Sequence, residues 1–246
     1  MPLQTYQIAQ TLVAGNSDRL SIDEFGRLIR SYYACKFIFL GNLSLEQSLS
    51  LRVYKNTYSR LAHRSDPDSL KFYRKFLLIA GAREYQTYQN IDRVADERYR
   101  EILDMMFKHR LYPTGETGTG TRIHVRQLDI TFMHGFYGSS KDDSDHYLLN
   151  RVGDDTIEKA FKRLEVRNKR RVVCGHLEVP VAYVRTPNGT INKLTGKDLS
   201  SLTFDPQARY IIAPGALNHG HFALLRLGAK GRVSMDFKKL TTAMPV

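Results

Sequence analysis

Histidine and carboxylate side chains stand where apolar runs of this chain stop. Val172-Val173-Cys174 leads into Gly175-His176-Leu177-Glu178, and Tyr210-Ile211-Ile212-Ala213 leads through Pro214-Gly215 to His219-Gly220-His221. An earlier run, Leu128 to Met133, stops at His134-Gly135. An apolar run closed by glycine reads as a buried strand feeding a loop, and side chains at that point are placed to meet a ligand. Imidazoles and a carboxylate are ligand types that hold a divalent transition metal. His134, His176, Glu178, His219 and His221 would together make an unorthodox single-metal site. His219 and His221 read more readily as a surface loop and the start of a strand.

The elements that must position these groups follow from periodicity. Tyr6 to Val13 reads as a strand that turns at Gly15-Asn16 into a helix capped by Ser17 or Ser21, with Ile22, Phe25, Leu28 and Ile29 on one face. Lys36 to Leu40 is a second strand, ending at Gly41-Asn42, and Phe76 to Ala80 a third, ending at Gly81. Between them Leu45 to Leu61 has helical spacing, His63 to Asp68 reads as an exposed loop, and Asp68 to Arg74 as a short helix. Gln89 to His109 is expected to be one helix, with Met105 and Met106 in the core. Pro113 to Thr121 lacks the Lys-Ser/Thr of a phosphate loop and reads as a connection; Gly138 to His146 lacks the Gly and distal Glu of a calcium loop. Strands are expected at Ile123 to Arg126 and Leu128 to Met133, a helix at Thr156 to Val166, then strands at Arg171 to Cys174 and Val179 to Arg185. Thr190 to Leu194, Tyr210 to Ala213, Phe222 to Leu227 and Val233 to Phe237 complete the set. Alternating strands and helices followed by hairpins fit two packed sheets with helices outside, in a single domain over residues 1–246.

Composition narrows the class. Hydrophobic residues at 42% in periodic runs describe a folded globule. Lysine and arginine number 37 against 25 acids, a formal charge of +12 that favours polyanionic partners. The densest run is Arg167-Asn168-Lys169-Arg170-Arg171; it reads as a solvated helix exit, and its Arg167, Lys169, Arg170 and Arg171 are the nucleic-acid candidates. Cys35 and Cys174 are too few for a disulfide scaffold or a cysteine zinc site, so the expected setting is a reducing intracellular compartment, cytoplasmic by default. Neither a signal sequence nor an apolar stretch of about 18 residues is visible, so no membrane span is expected.

The glycine-ended blocks, in order, resemble the calcineurin-like metallophosphoesterase family. Its pattern runs D-x-H-G, G-D-x-x-D-R, G-N-H-D/E, a lone H before G, G-H-x-H and a late P-G-S. The matching stretches are Leu12-Val13-Ala14-Gly15, Gly41-Asn42-Leu43-Ser44-Leu45-Glu46, Gly81-Ala82-Arg83-Glu84, His134-Gly135, Gly175-His176-Leu177-Glu178 and Pro214-Gly215-Ala216. The resemblance implies an αββα sandwich of two mixed sheets carrying two metal ions at its strand ends. It also implies that most ligands are replaced. Leu12 and Ala14 stand for the first Asp and His, Asn42 for the bridging Asp, Ala82 for the Asn, and Glu178 for the last His. Arg83 stands for the catalytic His, and a guanidinium does not release a proton near neutral pH. His134 and His176 alone match the second-metal pattern.

The resulting expectation is a catalytically degenerate member of this fold, a scaffold, subunit or binding protein acting with a protein partner or larger complex. No resident cofactor is expected, a single divalent metal at His134 and His176 being the alternative. Arg83 in a phosphate-shaped pocket would bind a phosphate or carboxylate without cleaving it. Other readings are a basic RNA- or DNA-binding component and a residual metal-dependent phosphoesterase.

Overall fold

A computed structural model of the chain describes residues 10–15, 19, 21–32, 35–42, 76–79, 81–97, 99–100, 103, 118–119, 122–125, 128–135, 154–228 and 231–240. Short runs rich in β-branched and aromatic residues form strands β1 (Thr11–Ala14), β2 (Lys36–Phe39), β3 (Phe76–Leu78), β4 (Gly118–Thr119), β5 (Arg122–Val125), β6 (Ile130–Met133) and β7 (Arg171–Cys174). The later part adds β8 (Val181–Arg185), β9 (Ile191–Thr195), β10 (Ser201–Thr203), β11 (Arg209–Ala213), β12 (His221–Leu227) and β13 (Val233–Lys239). Among the described residues the longer helices are α1 (Ile22–Ser31), α2 (Ala82–Gln89) and α3 (Asp154–Val166).

One sheet has the order β10-β13-β12-β1-β2-β3 and the other β4-β5-β6-β7-β11-β8-β9. Both are mixed. β1, β2 and β3 run parallel while β12 and β13 are antiparallel, and β6, β7 and β11 run parallel while β5, β8 and β9 are antiparallel.

Period-two alternation gives each sheet two apolar faces. Val13, Ile38, Phe132, Val173, Ile212, Ala223, Leu225 and Met235 meet in the core between the sheets. Leu12, Ala14, Phe37, Phe39 and Phe222 point the other way, onto Phe25, Leu28 and Ile29 of α1. On the far side, Met133, Val172, Cys174 and Ile211 pack on Ile157, Ala160, Phe161 and Leu164 of α3. The result is the αββα sandwich of two mixed sheets flanked by helices.

The helix ends are set locally. Ser21 caps α1: its Oγ accepts from Glu24 N at 3.3 Å, and the Glu24 carboxylate accepts from Ser21 N at 3.0 Å, a reciprocal capping box. α3 ends with Asn168 N donating to Glu165 O at 2.9 Å and Lys169 N to Leu164 O at 2.8 Å. This is the Schellman pattern, with Asn168 at φ 49° in the place glycine usually takes.

Several expected boundaries move. The single helix over Gln89 to His109 is replaced by α2, a 3-10 turn at Ile91–Arg93 and an extended break at Val94. Asp96 then starts a new helical stretch by accepting Tyr99 N on its side chain at 3.0 Å. Periodicity passes over the break because Ile91 and Val94 keep a helical spacing and are both half-buried here. β6 begins at Ile130, since Asp129 takes a left-handed φ of 49° that ends the run from Leu128. β10, a polar edge strand of Ser201, Leu202 and Thr203, carries too little apolar signal to have been expected. The expected helices over residues 45–61 and 68–74, His63 and the loop at 138–146 lie outside the described residues.

Among the described residues no helix is long and apolar enough to cross a membrane. Phe161 is fully buried between α3 and the second sheet. Phe161→Ala is expected to lower unfolding free energy by about 3–5 kcal/mol through lost burial and a residual cavity, read by urea denaturation.

Candidate functional site

The strand ends of both sheets converge, and their glycines set how closely. A Cβ on Gly15, after β1, would strike the Gly175 carbonyl oxygen and lie 2.6 Å from that of Gly215. Gly41, after β2, has φ 94°, and a Cβ there would lie 2.5 Å from both Gly81 N and His134 Nδ1. Asn42 follows at φ 53°, a conformation that asparagine tolerates better than most residues.

The turn is held by a carboxylate. Glu84, 1% exposed, accepts Gly81 N at 2.7 Å and Asn42 N at 3.0 Å on the same oxygen. It therefore fastens the end of β2 to the start of α2. In the sequence Glu84 stands as the last residue of the Gly81-Ala82-Arg83-Glu84 block. Its Gly-x-x-Glu spacing, the second half of a capping box, was the available signal.

His134 is 2% exposed, with Nδ1 2.5 Å from the Leu40 carbonyl oxygen. A carbonyl only accepts, so Nδ1 carries the proton and donates. Gly175 N donates to the carbonyls of both Met133 and His134 at 3.0 Å. The His176 ring lies edge-on to His134 with centroids 5.6 Å apart. Burial pushes the His176 pKa down from the ordinary 6.5, against a smaller upward pull from Glu178.

The other expected ligands sit apart or carry no ligand atoms. Glu178 and His219 form an exposed pair at 3.8 Å, their side chains 73% and 47% accessible. His221 begins β12, its pKa lowered first by burial and then by Lys239 and His219. Leu12 and Ala14 are fully buried in the core under α1. Ala82 and Arg83 belong to the first turn of α2, and their side chains lie outside what is described, as do Leu45 and Glu46.

At the positions that the resemblance assigns to metal ligands, Leu12 and Ala14 are apolar core and Asn42 is a neutral amide, and among the described residues no group of three or more His, Cys, Asp or Glu side chains is placed to hold an ion. The close pairs are His134 with His176 and Glu178 with His219.

Of the basic run, Arg171 is half-buried, donates through Nη1 to Leu128 O at 2.7 Å and lies 5.1 Å over the Phe204 ring. Burial is the first cause of its lowered pKa. Arg170 Nη1 donates to the Pro206 carbonyl, Lys169 is half-buried and Arg167 is exposed.

Two outcomes are expected. Glu84→Ala leaves the buried Gly81 N–H and the half-buried Asn42 N–H without their acceptor and should cost about 2 kcal/mol or more, measured by thermal unfolding. For His176 the native pKa lies below the unfolded value, so the unfolded state takes up more protons on acidification. Stability should be fully present above about pH 6.5 and fall as the pH drops from there to the native value. The pH dependence of urea midpoints should flatten in His176→Gln.

No protein-family model matches the chain, and no curated protein matches it by sequence. By structure it is similar to a metallophosphoesterase from Sphaerobacter thermophilus, at TM-score 0.55 and 15% identity over 96% of this chain and 89% of that one. A Thermotoga maritima protein solved by solution NMR is matched at TM-score 0.41 and 15% identity over 94% and 99%, too low to carry weight. At such identity the first likeness speaks for architecture alone: this chain has a metallophosphoesterase-like fold.

Proposed function

We propose that this chain is a catalytically degenerate metallophosphoesterase-fold protein that works through its surface, as a scaffold, subunit or binding protein in a larger assembly. The observation that carries the reading is the burial of Leu12 and Ala14 among Phe25, Phe37 and Phe39 under α1. A two-metal phosphoesterase needs anionic and imidazole ligands to hold both ions and to lower the pKa of the attacking water. Alkyl side chains supply neither. Asn42 adds a neutral amide in place of a carboxylate, and Arg83 cannot alternate between acid and base near neutral pH.

A second reading, a residual phosphoesterase, draws on the edge contact of His134 and His176. Two imidazoles without an anionic bridge make a weak site, which places this reading behind the first.

The test is to load the purified protein with manganese, zinc and iron in turn, desalt it, and measure bound metal and hydrolysis of an aryl phosphate. Fewer than two ions per chain and no hydrolysis above a metal-only blank are expected. Two ions per chain with turnover would overturn the proposal. Turnover abolished by His134→Ala and His176→Ala would establish the second reading instead.

A further inference from the structure

The end of the second sheet opposite the histidines gathers cations from several elements. β7 and β11 run parallel from Arg171 and Arg209 towards Gly175 and Gly215, and antiparallel β8 places Arg185 in register with Arg209. The turn between α3 and β7 adds Arg167, Lys169 and Arg170. Cations at a helix C-terminus are ordinary because they complement its dipole. Arg185 and Arg209 come from strands and are not explained that way.

The carboxylates at this end, Glu165, Asp129 and Asp205, are fewer than the cations, and Asp129 acts on Arg171. The single carboxylate of Glu165 serves both Arg185 at 3.1 Å and Arg209 at 4.0 Å. Arg209 Nε itself is buried, without an acceptor among the described residues, so Arg209 contributes charge to this end rather than an open hydrogen-bond donor at that atom. Asp205 accepts Gln207 N at 2.7 Å, a hydrogen bond from a neutral donor that leaves its charge in the balance.

The cations are also pre-positioned. The Schellman turn fixes the backbone of the basic run, and the Pro206 and Leu128 carbonyls hold Arg170 and Arg171. A face already ordered loses less entropy when it binds. Among the described residues the exposed large hydrophobics are Val166 and Val179, and none of them is an aromatic platform for stacking unpaired bases. Guanidinium forks without such a platform suit regularly spaced phosphates.

We propose that this end of the sandwich docks the phosphodiester backbone of duplex nucleic acid without reading base sequence. The inference is independent of whether the chain hydrolyses phosphoesters.

The experiment measures anisotropy of fluorescein-labelled RNA and DNA duplexes of about 20 base pairs, with a single strand of the same length and phosphatidylserine vesicles alongside. Duplex should bind more tightly than single strand. If about three phosphates are engaged, the slope of log affinity against log salt should be about −2.7, and affinity should fall about 40-fold between 50 and 200 mM. RNA and DNA arms tell which duplex is preferred. The double variant Arg167→Glu/Lys169→Glu should weaken duplex binding at least tenfold. Lys238→Glu, at the histidine end in register with Phe222, should leave it within twofold. Equal loss in both variants, salt-insensitive binding, or capture of vesicles but not duplex would overturn the proposal. If the double variant does not fold, acetylation of the wild-type protein decides: duplex should protect Lys169 and not Lys238, and lack of protection at Lys169 refutes the docking face.

Discussion

Two stacked sheets can bring their strand ends together only where no side chain stands between the backbones. Here that condition falls on Gly15 and Gly175. Gly15 lies against the carbonyls of Gly175 and Gly215, and Gly175 lies against Leu40. This approach sets the position of the Leu40 carbonyl, on which His134 Nδ1 closes at 2.5 Å. It also sets where the Gly41-Asn42 turn emerges to meet Glu84. Replacement of either glycine would push apart two backbones, which have no rotamer with which to yield.

The polar groups at this junction are spent on holding backbone. Glu84 accepts two N–H groups, and His134 donates to a carbonyl. Buried polar groups are tolerated when they are hydrogen-bonded in this way. The exposed Glu178–His219 pair is different: solvent screens it, and it adds little to stability. The strand ends thus combine a buried backbone clamp, an edge-on imidazole pair and a solvated rim, while the apolar side chains of β1 continue the core.

Much of the frame was legible beforehand. β2, β7, β11 and β12 coincide closely with their apolar runs, because a strand buried on both faces needs apolar residues at nearly every position, and β13 follows its period-two alternation of Val233, Met235 and Phe237. Helix α3 was visible from its 3.6-residue spacing. The interruption at Val94 was not, since its half-buried side chains satisfy the helical period whichever backbone carries them. β10 escaped because an edge strand needs few apolar residues and takes its partner, β13, from a distant segment.

The sequence by itself determined which chemistry is available at each strand end: alkyl groups at Leu12 and Ala14, imidazoles at His134 and His176, an amide at Asn42. Those are properties of single residues and need no fold. Tertiary structure alone decided which groups meet. His134 reaches Leu40 across the two sheets, Glu84 reaches Asn42 across a parallel strand connection, and Arg185 and Arg209 share Glu165 because β8 and β11 are neighbours. Each contact joins segments distant in the chain, and local periodicity is the same for every strand order that would have kept them apart.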